Sequence, residues 1–175
     1  MLATVLAPGT SLAPTSAEAA YVAAHIVTWR LGWLLWIAAA VSLVAFFWWW
    51  AARLGWPAVA RVALPLACAG VVADVTAESL LIISAPAAYV EVGGSALRLS
   101  GVGANGLYSV AGALLTVRTP ALSRGLAAWT WTIWLAGAGL ALAGLAGSDR
   151  ASQVMTAVLF ALFPPWLIVF GRRIG

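Results

Sequence analysis

The sequence predicts an all-α integral membrane protein: a five-transmembrane-helix bundle with its N-terminus out and its C-terminus in. Three observations carry this. Hydrophobic residues make up 64% of the chain and charged residues 8%, whereas soluble domains run nearer half apolar and a quarter charged. Apolar stretches recur at about 31–50, 62–83, 101–117, 125–146 and 151–171, most of them near the ~20 residues that cross a hydrocarbon core. The arginines fall unevenly between the two sets of connections. Arg53, Arg61, Arg118, Arg124, Arg172 and Arg173 share one side of such a bundle, against Arg30, Arg98 and Arg150 on the other. Cationic loops stay in the cytoplasm, which sets the orientation.

The 175 residues suit one membrane domain, 15–175, preceded by a surface segment, 1–14. That segment is broken by Pro8, Gly9 and Pro14 and lacks the basic start and long apolar run of a cleavable signal. Thr15 and Glu18 then form a capping box, in which hydroxyl and carboxylate each take an orphan amide of the first turn. The helix that starts there should continue through Arg30 to about Trp50. Tyr21, His25, Trp29, Trp33 and Trp36 lie on one side of it. They read first as an interfacial aromatic belt, and second as the wall of a ligand pocket with His25 at its mouth. Trp48-Trp49-Trp50, with Arg53 and Trp56, reads as the anchor at the opposite interface.

Pro57 and Pro86 bracket the second span. The connection from Ala85 to Ser100, with Glu91, Gly93-Gly94 and Arg98, reads as an exposed loop or hairpin-like excursion. The third span is short and rich in small residues. Gly101, Gly103 and Gly106 resemble a phosphate-binding fingerprint only in spacing, since no strand precedes them; close helix packing explains them better. The fourth span carries Trp129, Trp131 and Trp134. The fifth contains Pro164-Pro165, which should kink it.

The chemistry concentrates in the second span. Asp74 and Glu78 stand at i and i+4, on one face, where an ionised carboxyl costs about 2.5–3.5 kcal/mol at mid-bilayer. They repel when both are charged and titrate as a coupled unit. Gly70, one turn earlier, leaves room for a neighbour to approach. Matching depths at ~1.5 Å per residue pairs Glu78 with Arg30, which can snorkel inward. The same matching places Asp74 beside Tyr108, Ser109 or Asn105. Intramembrane ionisable groups mark functional sites by default. The expected site is an outward-facing polar pocket of Asp74, Glu78, Arg30, His25, Asn105 and Tyr108, walled by Trp33 and Trp36.

Such a pocket would bind a small ligand, a proton or a cation, for transport or sensing. The rival readings are an accessory subunit of a larger membrane complex, and an intramembrane enzyme on a lipid or isoprenoid with Asp74 as proton donor. Whether the chain is an enzyme at all is open, but no nucleophile–base–orienter set or catalytic motif stands out. All nine basic residues are Arg and none is Lys, so neither a retinal nor a pyridoxal Schiff base can form. One His and one Cys rule out a bis-His haem within the chain and any intrachain disulfide, and supply no metal-ligand cluster. Scattered arginines give no nucleic-acid-binding face. The expected partners are the bilayer, other membrane proteins or a small molecule, in a bacterial-type cytoplasmic membrane. Small size, five spans and many Trp give an architectural resemblance to the tryptophan-rich sensory/translocator-protein family, which binds porphyrins and steroids. Phe163-Pro164-Pro165-Trp166 is the nearest fragment, but it stands in the last helix, so no site residue is carried over.

Overall fold

A computed structural model describes residues 10–120 and 122–174, and among them every regular element is helical. The elements are α1 (Ser16–Ala24), α2 (Ile26–Arg53), α3 (Ala60–Ser84), α4 (Tyr89–Arg98), a π-helical segment (Leu99–Ala104), α5 (Asn105–Thr116), α6 (Arg124–Leu145) and α7 (Asp149–Ile174). Four of them, α2, α3, α6 and α7, are long and apolar enough to cross a membrane, so the chain has the make-up of a multi-pass membrane protein.

The capping box forms as its residues dictate. Glu18 N donates to Thr15 Oγ1 at 3.3 Å, and Thr15 N donates to Glu18 Oε2 at 2.7 Å. The helix does not continue straight into the first long span, however. It ends at Ala24, and His25 stands as a non-helical junction before α2.

The stretch from Ala85 to Ser100 is not the expected loop. Tyr89 to Thr116 is helical throughout, in consecutive α, π and α segments of ten, six and twelve residues. Gly93 and Gly94, read as chain breakers, serve close approach instead. A Cβ at Gly94 would stand 2.5 Å from the Leu12 carbonyl oxygen, and one at Gly93 3.1 Å from the Pro14 ring. The described part of the N-terminal segment therefore straps across α4. It is pinned at its other side by Asp149, whose carboxylate accepts from Leu12 N at 2.7 Å and Ser11 Oγ at 3.1 Å. Residues 1–9 of the expected surface segment lie outside the described residues.

The arginine-rich end of the bundle is closed by aromatic packing. Phe46, Trp50, Trp134, Phe163, Trp166 and Phe170 interlock, with ring centroids 4.8 Å apart for Trp50–Phe170 and 5.7 Å for Trp134–Trp166. Such pairs contribute about 0.5–1.5 kcal/mol each beyond the area they bury. Between membrane helices that packing matters more, because lipid supplies no hydrophobic drive. Trp50 is thus no anchor. It is fully buried and donates from Nε1 to Thr119 Oγ1 at 3.0 Å. Three consecutive residues on a helix are spread ~100° apart, so Trp48 faces outward against Trp56 while Trp50 turns into the core. Two more buried indoles use threonine in the same way: Trp134 donates to Thr116 and Trp166 to Thr130, both at 2.9 Å.

The same rings fix helix direction. Trp36 meets Phe160 and Trp50 meets Phe170, so α2 and α7 run the same way along the bundle. α7 is helical through Pro164 and Pro165.

Candidate functional site

Asp74 and Glu78 occupy the buried face of α3, 4% and 0% exposed. Their surroundings differ. Asp74 is met by two donors from the opposite helix: the Ser100 hydroxyl donates to Oδ1, and the Tyr108 hydroxyl to Oδ2 at 3.2 Å. Tyr108 reaches it because position 70 has no side chain. A Cβ there would fall 2.6 Å from the Tyr108 ring. The neighbour for which Gly70 leaves room is this ring.

Ser100 lies in the π-helical segment. π-Turns admit one extra residue and often sit at functional sites. Here Ser100 is buried and its hydroxyl meets the same carboxylate as Tyr108. Asn105 does not reach Asp74. Its Nδ2 donates to the Ser100 carbonyl at 3.1 Å, and the Asn105 carbonyl accepts from Ser109 Oγ at 2.7 Å. Asn105 and Ser109 thus support the Asp74 pair from behind. Sequence reasoning missed Ser100 because it ended the loop there. Following the buried positions Tyr89, Gly93, Ala96, Ser100, Ala104 and Tyr108 at helical spacing would have found it.

Glu78 does not have the cation expected for it among the described residues. Arg30 is exposed and turns to the end of α3, donating from Nε to the Ile82 carbonyl at 3.2 Å and from Nη2 to the Ala85 carbonyl at 2.9 Å. Those carbonyls lie where a helix runs out of amide donors and its dipole is negative. A guanidinium satisfies them without leaving the surface, whereas pairing with Glu78 would draw it into the packed interior. Both Glu78 oxygens are buried with no hydrogen-bond partner among the described residues, and so are the indole nitrogens of Trp29 and Trp33. Ala77 and Leu81, which flank Glu78 on α3, pack in one cluster with those two tryptophans.

The remaining expected residues spread out. Trp33 is buried between Trp29 and Trp36, at centroid distances of 5.6 and 5.8 Å. Trp29 and Trp33 are therefore core and not an interfacial belt. Trp36 is half-buried and faces Phe160 of α7. His25 is exposed at the α1–α2 junction, stacked on Tyr21 at 4.3 Å, and its Nδ1 donates to the Tyr21 carbonyl at 2.9 Å. It stands apart from the carboxylates. The structure therefore joins Asp74, Tyr108 and, indirectly, Asn105; it sets Glu78 beside the Trp29–Trp33 cluster and leaves Arg30 and His25 at the surface.

A buried carboxyl without partners needs a proton, a cation or a donor to complete it. Among the described residues no three His, Cys, Asp or Glu side chains come together as a metal-binding group. The chain matches no protein-family model, no curated protein and no solved structure.

Proposed function

We propose that this chain is a five-span membrane protein that binds a proton at the Asp74–Glu78 pair, from the outer side of a bacterial-type cytoplasmic membrane, for transport or sensing. The observation that carries the reading is Glu78: a carboxyl 0% exposed, without a hydrogen-bond partner among the described residues, one turn from a second carboxyl that has two. Burial of that kind costs several kcal/mol if the group is charged. Function is the usual reason for retaining it.

The tight enclosure favours a small occupant. A hard cation asks for about six oxygen ligands, and among the described residues no group of three acidic side chains comes together to supply them. A proton asks only for one oxygen and a route. Supporting the five-span count, Tyr89 to Thr116 is an uninterrupted helical run, and α2 and α7 point the same way, which an odd number of crossings requires. Six arginines at the end opposite α1 support the orientation.

The test is infrared difference spectroscopy of the reconstituted protein across a pH step, reading carboxyl C=O bands. A band lost in Glu78→Gln, and another altered in Asp74→Asn, is the expected result. Identical spectra in wild type and both variants would remove the proposal.

A second reading, an accessory subunit of a membrane complex, draws on α7. Only 11% of its most apolar stretch is buried, against 50% in α6. Stoichiometric co-purification with other proteins from mild detergent is the outcome that favours it.

A further inference from the structure

At the α1 end of the bundle, α4 carries a second polar set. Glu91, Ser95 and Arg98 follow at steps of four and three, so they share one side of the helix, and all three are exposed. Glu91 and Arg98 make no ion pair or hydrogen bond among the described residues. A solvated helix face would account for the charges alone, and the first-turn dipole favours Glu91. Neither accounts for the wall opposite. The Leu12–Pro14 strap, held by Asp149 and seated on Gly93 and Gly94, borders with α4 an open surface depression of about 330 Å³. Leu12, Pro14, Val90, Glu91, Ser95 and Arg98 line it.

Depth supplies the next step. The run of ten, six and twelve helical residues from Tyr89 is about 42 Å long, ~12 Å more than a hydrocarbon core. Arg118 follows closely at the other end, so the excess falls on the first two turns of α4. The pocket thus lies at headgroup level. Along the membrane normal Glu91 is the outer charge and Arg98 the inner, separated by about 10 Å of helix axis. A phospholipid with an ammonium headgroup presents its charges in that order, the phosphate next to the glycerol and the ammonium beyond it.

We propose that this pocket binds the headgroup of a zwitterionic phospholipid, its phosphate on the Arg98 guanidinium and Ser95 hydroxyl and its ammonium on Glu91. The bidentate fork of Arg suits phosphate. Leu12, Pro14 and Val90 pack against the apolar part of the headgroup region. The site rests on the membrane-spanning reading of Tyr89–Thr116 and is independent of Glu78 and of proton binding.

The experiment is native mass spectrometry of the full chain released from nanodiscs of equal phosphatidylethanolamine and phosphatidylglycerol. The expected wild-type result is ethanolamine lipid retained about fivefold over glycerol lipid, which corresponds to the ~1 kcal/mol of a well-placed exposed ion pair. Glu91→Gln should bring the ratio to near unity while lipid stays bound, and Arg98→Gln should lose both lipids. Ser95→Ala, a milder change, should weaken retention without altering the ratio. Equal retention in wild type, or an unchanged preference in Glu91→Gln, overturns the proposal. So does glycerophosphoethanolamine binding to delipidated protein as tightly as the whole lipid does, since the occupant is then a free solute.

Discussion

Asp74 and Glu78 stand one helical turn apart on the same buried face, yet among the described residues only Asp74 has donors, Ser100 and Tyr108. The described fold completes one carboxyl and, among its residues, offers the next no hydrogen-bond partner. That asymmetry separates the stability of the site from its function, because each residue can be altered with an opposite expected effect.

Replacing Glu78 by Leu should stabilise the protein. The substitution keeps similar bulk and removes a buried group whose polar atoms are unmet, which costs about 1–3 kcal/mol. A higher Tm in detergent, together with loss of the carboxyl infrared band, is the expected pair of results. Stability gained with function lost is the usual trade at a strained site. A lowered Tm would mean that Glu78 has a partner in the fold.

Ser100→Ala and Tyr108→Phe should both destabilise, by about 1–3 kcal/mol each, since each removes a donor from a buried carboxyl. Because both act on one group, their effects should be non-additive in the double variant. Additive losses measured by thermal unfolding would place the two hydroxyls in separate networks.

Gly70→Ala tests how Tyr108 is positioned. The added methyl would lie 2.6 Å from the Tyr108 ring, so the ring must shift and its hydroxyl must leave Asp74. Overpacking of this kind costs about 1–3 kcal/mol. Tyr108→Leu in the same background should recover part of the loss in Tm, whereas a purely helical-propensity effect would make Gly70→Ala stabilising.

These residues also mark how far the sequence could be read. Asp74, Glu78, Gly70 and Tyr108 were legible because charge in an apolar run and i, i+4 spacing are local signals. The helical stretch before Ser100 was not, because Gly93-Gly94 looks the same whether it breaks a helix or admits a neighbouring strap. Arg30 was misassigned because depth matching ranks partners by height alone, and unsatisfied carbonyls at a helix end compete at equal height. A double-mutant cycle of Arg30→Gln with Glu78→Gln should accordingly give a coupling energy near zero. A coupling above about 1 kcal/mol would restore the ion pair.

The threonines offer the cleanest packing test. Thr116, Thr119 and Thr130 each accept an indole N–H and donate to a carbonyl one turn back, those of Gly112, Leu115 and Leu126. One hydroxyl thus completes two helices at once, and no apolar side chain of the same shape can do so. Thr130→Val preserves volume but leaves the fully buried Trp166 nitrogen without an acceptor, at a cost of about 1–3 kcal/mol. Thr132→Val is the control: its hydroxyl only back-bonds to Ala128 on an exposed face, so its loss should be within ~0.5 kcal/mol. Indole N–H hydrogen bonding is read directly by ultraviolet resonance Raman. The Trp166 signal should shift toward a weaker bond in Thr130→Val and stay unchanged in Thr132→Val. Equal effects of the two substitutions on Tm would show that the bundle holds its tryptophans by shape alone.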